Sequence, residues 1–170
     1  MRYFKNILTI TLSFFTLYFF TSCAPSPKKA AAYNDTIVQY QTLTYKTINN
    51  FFASLDKAIK NPNVLDTIQQ QSIENISLSI KKINNLGAFY KDSMLLNAAD
   101  TLFATYKYIV ENDFTQIIKL YKIPVEKYTN EEQKKLELLI KHSQDSLNIA
   151  NAKFIEYQEV FAKNYNLELK

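Results

Sequence analysis

Apolar residues recur along this chain at alternating steps of three and four, in four stretches separated by short breaks. In the first, Ile37, Gln41, Thr44, Ile48, Phe51, Leu55 and Ile59 share one phase, with Tyr33, Tyr40 and Phe52 beside them. Such steps place side chains on one helix face, so this spacing predicts a helix from about Ala30 to Lys60. Asn61-Pro62 ends it, because proline disfavours helical geometry in the residue before it. The same pair can open the next helix, Asn61 as N-cap and Pro62 at the first helical position. That second helix is expected from Pro62 to Leu86, with Leu65, Gln69, Ile73, Ile76, Ile80 and Ile83 inward. Gly87, the only glycine, stands where a left-handed C-terminal residue is wanted.

The third stretch runs from Asp92 to Lys122, with Asp92 or Ser93 as cap. Leu95, Ala99, Leu102, Phe103, Tyr106, Val110, Phe114, Ile117 and Tyr121 are expected to face inward, and Glu111-Asn112-Asp113 interrupts them as a candidate bend. Pro124 prevents simple continuation. The fourth runs from Asn130 to Asn164, where Thr129 and Glu132 have capping-box spacing. Leu136, Leu139, Ser143, Leu147, Ala150, Phe154, Tyr157 and Phe161 form its stripe. Helices of similar length with short links predict an all-α fold, an antiparallel up-down-up-down four-helix bundle over residues 33–170.

The first 22 residues follow another pattern. Arg2 and Lys5 precede a 14-residue apolar run, Ile7 to Phe20, and Thr21-Ser22 then lead to Cys23. A bilayer-spanning helix needs about 20 apolar residues, so the shorter run suits an export signal. The arrangement resembles a bacterial lipoprotein signal, in which the cysteine becomes the acylated first residue. Phe20 stands where that family usually has Leu, while Thr21 and Ser22 fit. The resemblance implies a cleaved signal over residues 1–22, a lipid such as palmitate on Cys23, and a tether over residues 23–32. Two or more acyl chains make membrane attachment stable. Pro25 and Pro27 favour extended backbone, at about 3.1 Å per residue. In comparable lipoproteins, acidic residues just after the cysteine redirect sorting. Here Ala24 follows it and the first acid is Asp35, which implies an outer-membrane lipoprotein facing the periplasm.

Composition narrows the function. Removing Arg2 and Lys5 from the 20 basic residues leaves 18 lysines against 16 acidic residues. This near balance, without arginine, argues against nucleic-acid binding. One cysteine permits no internal disulfide. A di-metal bundle needs Glu-x-x-His pairs, yet the single histidine, His142, is preceded three residues earlier by Leu139, and it is expected at the surface. One glycine leaves no phosphate loop. No enzyme, metal or cofactor is expected beyond the covalent lipid.

Gln41 and Gln69 lie on inward phases but far apart along a hairpin, so each needs its own partner if buried. The stretch Tyr33-Asn34-Asp35-Thr36-Ile37-Val38-Gln39-Tyr40-Gln41 resembles the opening of uncharacterised four-helix lipoproteins of Bacteroidota and spirochaetes. That resemblance singles out Tyr33, Asn34 and Gln41, and Tyr40 joins them as a candidate binding or capping set. The function expected is a lipid-anchored envelope protein that binds a protein or peptide. The alternatives are a structural envelope protein without a specific ligand and a small-ligand carrier between helices.

Overall fold

In the computed structural model, residues 25–169 are described, and they are mostly helical with no strand among them. The export segment and Cys23 lie outside the described residues. Helix α1 spans Pro27–Ala53. It begins earlier than its apolar stripe, because Ser26 accepts from Lys29 N–H and Pro27 occupies the first turn.

Helix α1 also ends early. Ser54 N–H bonds to Phe51 O, a tightened turn, and a short α2, Leu55–Ala58, follows. The break rotates what comes after it. Ser54 and Ala58 are buried, while Ile59, expected inward, is 74% exposed. A single helix from 30 to 60 is therefore corrected to two.

Helix α3 spans Asn63–Asn84, with Pro62 at its cap and Asn61 Oδ1 accepting from Asn63 N–H at 3.3 Å. Gly87 adopts φ 64°, the left-handed conformation expected of it. A tight turn then joins Phe89 to Asp92 through mutual backbone bonds of 2.9 and 2.8 Å. Tyr90 and Lys91 within it take positive φ, a strained choice for side-chain-bearing residues. Phe89 holds the turn by packing among Tyr33, Phe161 and Tyr165.

Asp92 Oδ1 accepts from Met94 N–H at 2.9 Å and opens α4, Met94–Tyr108. The polar interruption is a π-helical turn, Ile109–Asp113, in which Phe114 N–H reaches back to Ile109 O. Helix α5, Phe114–Tyr121, continues the line, and a short 3₁₀ turn, Val125–Lys127, leads to α6, Asn130–Tyr165. The capping box of Thr129 and Glu132 is formed, and Asn166 closes α6 in left-handed geometry.

The core runs through α4, the π turn and α5, where Leu102, Phe103, Tyr106, Ile109, Val110, Phe114 and Ile117 have lost essentially all contact with solvent. Phe51 stacks on Phe114 at 3.6 Å, and Phe52 meets both edge-on. Cross-contacts show how neighbours run. Tyr33 meets Gly87 and Thr44 meets Ser79 between the first two long helices. Asp92 meets Tyr165, Tyr106 meets Asn151 and Asp113 meets Ser143 between the third line and α6. Most stripe residues of the third line are inward. On α6, Tyr157 is 38% exposed rather than buried, because it edges a groove where α4 and α6 diverge.

Candidate functional site

Polar side chains enter the interior at three places, and two surround the third helical line. Gln41 is the first. Its Nε2 donates to Asn151 Oδ1 at 2.7 Å, and Tyr106 O–H donates to the same oxygen at 2.6 Å. Asn151 Nδ2 donates to Leu147 O in its own helix. The amide of Asn151 thus gathers α1, α4 and α6 around one acceptor.

The π turn is the second. A wide turn frees carbonyls that a regular helix would pair. Gln69 Nε2 donates to Val110 O at 2.7 Å and to Thr115 Oγ1 at 2.8 Å. Thr115 in turn donates to Glu111 O, and Asn112 Nδ2 to Tyr108 O. Gln69 is inward because it completes a backbone defect in a neighbouring helix.

The same turn directs Asp113 inward, where it is 3% exposed. Asp113 Oδ2 faces His142 Nδ1 and Ser143 Oγ, each at 2.9 Å. Ser143 has one hydroxyl hydrogen, and Leu139 O competes for it at 2.8 Å. Aspartate and histidine here form the orienting half of a catalytic constellation. The hydroxyl sits against the carboxylate, however, not against the imidazole, so it is not activated as a nucleophile. Among the described residues, no three His, Cys, Asp or Glu side chains are grouped to hold a metal.

The third place is the end where α1 begins. Tyr33 O–H donates to Gly87 O at 2.7 Å, and its ring lies near Phe89 and Phe161. Asn34 is buried, with Nδ2 3.4 Å from Asp35 Oδ1 and its own Oδ1 without a partner. Tyr40 is half-buried against the core. The four candidates Tyr33, Asn34, Tyr40 and Gln41 do not line one pocket: Tyr33 secures the α3–α4 loop, whereas Gln41 serves the Asn151 cluster.

Burial pushes the Tyr106 hydroxyl up to about 12, with the hydrogen bonds to Gln41 and Asn151 pulling the other way. Tyr33 is also pushed up to about 12, by burial and then by the negative charges of Asp92 and Asp100. An unfolded tyrosine ionises near 10. Between those values the unfolded chain releases protons that the folded chain keeps. The stability contribution is complete below about pH 10 and is lost as pH rises toward about 12. Urea midpoints should therefore fall steeply over that window, and Tyr106→Phe should flatten the fall. An unchanged slope in Tyr106→Phe would reject the assignment.

The principal concavity lies elsewhere. A groove of about 530 Å³ separates α4 from α6. Ala98, Leu102, Ala150 and Phe154 form its floor, Asn97, Thr101 and Thr105 one lip, and Ile149, Lys153 and Tyr157 the other. Small residues on facing inward phases, Ala98 and Ala150, leave the space. A second groove, near Thr47, Asn50, Glu74 and Asn75, is mainly polar. Comparison with protein-family models, curated proteins and solved structures gave no match.

The sequence reading missed Asp113, Asn151 and the groove. Asp113 lies three residues after the inward Val110, and His142-Ser143 fall at the inward phase of α6. That is a legible signal for a polar contact, although not for its partner.

Proposed function

We propose that this chain is a lipid-anchored, non-enzymatic protein of the cell envelope that binds a protein or peptide in the α4–α6 groove. The groove carries the reading. It has an apolar floor, an amide and hydroxyl lip on α4, and exposed Ile149 and Tyr157 on α6. Its α4 wall, Met94 to Thr105, is about 16 Å long at 1.5 Å per residue. An elongated groove open to solvent suits a segment of another chain.

The scaffold is an antiparallel up-down-up-down four-helix bundle, with α1–α2, α3, α4–α5 and α6 as its members. The alternating directions of the paired contacts support that topology. Cys23 carries the lipid, and the domain sits at the outer membrane on the periplasmic side. In this arrangement the Tyr33, Phe89 and Tyr165 end is nearest the bilayer. A small-ligand carrier is the second reading, since the groove volume falls within the range of small-molecule sites.

Crosslinking capture from the intact envelope tests the proposal in paired form. Thr101→Trp fills the groove from an exposed lip position without entering the core. It should remove a partner that the wild-type chain captures, and Cys23→Ala should move the protein out of the membrane fraction. Capture that is indifferent to Thr101→Trp rejects the groove. A Cys23→Ala chain that stays membrane-bound after its signal is removed rejects the anchor.

A further inference from the structure

The outward face of α6 carries a pattern the core does not use. Leu138, Ile149 and Val160 are exposed at 67%, 69% and 46%. They stand eleven residues apart. Three helical turns take about 10.8 residues, so these side chains form one line, about 33 Å long. His142 and Asp145 fill the interval before Ile149, and Lys153 and Glu156 the interval after it; all four are exposed. The steps from Leu138 are four, three and four up to Ile149, then four, three and four to Val160. The spacing is the same read from either end.

We propose that two copies of this chain pair through α6, antiparallel, about a two-fold axis at Ile149. A two-fold interface must be self-complementary, each patch meeting its own symmetry mate. About this axis Ile149 meets Ile149 of the second copy, and Leu138 meets Val160. Asp145 meets Lys153, and His142 meets Glu156. Every apolar residue thus opposes an apolar one, and each carboxylate opposes a lysine or histidine. A parallel pairing in register does the opposite: it places Asp145 on Asp145, Lys153 on Lys153 and Glu156 on Glu156.

Existing contacts leave this face available. Asp145 bonds to Lys141 at 2.6 Å, an exposed pair one turn apart and weak for that reason. His142 turns Nδ1 to Asp113, yet its side chain stays 57% exposed. Complementarity stops one step outward, where Lys135 would oppose Lys163. Three apolar side chains per copy make a contact narrower than a standard interface, so the pairing is reversible and depends on concentration.

Disulfide trapping of the full-length chain tests the register. On oxidation, Ile149→Cys should give a covalent dimer well above the wild-type background, in which Cys23 is the only thiol. Leu138→Cys and Val160→Cys should each fail alone and crosslink when mixed. Asp145→Lys added to Ile149→Cys should lower the dimer yield severalfold, and adding Lys153→Asp as well should restore it. All these positions are exposed, and circular dichroism verifies that each variant is folded. The proposal is overturned if Ile149→Cys gives no more dimer than wild type, if Leu138→Cys alone crosslinks as well as the mixture, or if the charge exchange has no effect.

Discussion

Phe114→Ala should destabilise this protein by about 3–5 kcal/mol, the range for emptying a large aromatic site in a core that cannot fully collapse. Phe114 has lost all solvent contact, stacks on Phe51 at 3.6 Å and receives Phe52 edge-on. It also follows the π turn directly, so the surrounding backbone is already committed to an unusual geometry. A small domain holds only about 5–15 kcal/mol in total, so the loss is a large fraction of it. Urea denaturation monitored by circular dichroism measures the effect. Phe114→Leu, which keeps most of the volume, should lose clearly less. A loss under about 1 kcal/mol for Phe114→Ala would mean that the stack is not a principal element of the core.

Asn151→Leu is the second large effect, and its interest lies in how it combines. Asn151 Oδ1 is the acceptor for both Tyr106 O–H and Gln41 Nε2. Removing it strands two donors, one on a fully buried ring. A stranded buried polar group costs about 1–3 kcal/mol, and Gln41 is only partly buried, so the loss should be about 2–3 kcal/mol. Replacing all three members with apolar residues of similar shape removes the unmet donors as well. The triple variant Gln41→Leu, Tyr106→Phe, Asn151→Leu should therefore be more stable than Asn151→Leu alone. Simple addition of three single losses would reject the shared-acceptor account.

These residues also show what was legible in the chain. Gln41 and Gln69 lie on inward phases, and both do enter the interior, as the periodicity implies. Their partners could not be read, because Asn151 lies 110 positions from Gln41, and Val110 offers a carbonyl that only a π turn releases. The capping box at Thr129 and the left-handed Gly87 were legible because their chemistry is local. Ile59 was misplaced for the converse reason: nothing in the apolar spacing announces the break at Ser54, which rotates all that follows it. Asp113 looked like part of a polar interruption, yet a local widening of the helix turns it toward Ser143. The α4–α6 groove comes from two alanines meeting across helices, a coincidence of two distant positions that no single stretch displays.

The widened turn at Ile109–Asp113 also sets how this chain tolerates changes in length. It is equivalent to one residue added to an otherwise regular helix. A chain one residue shorter there would be locally more regular. All that follows would then turn by about 100° about the helix axis, because each helical residue accounts for that rotation. Phe114 would leave Phe51, and Gln69 would face a carbonyl already paired. Close to that turn, the length of the third helical line is as constrained as the identity of its side chains. The loop from Lys122 to Tyr128 has no such constraint, and tolerated insertions and deletions should collect there instead.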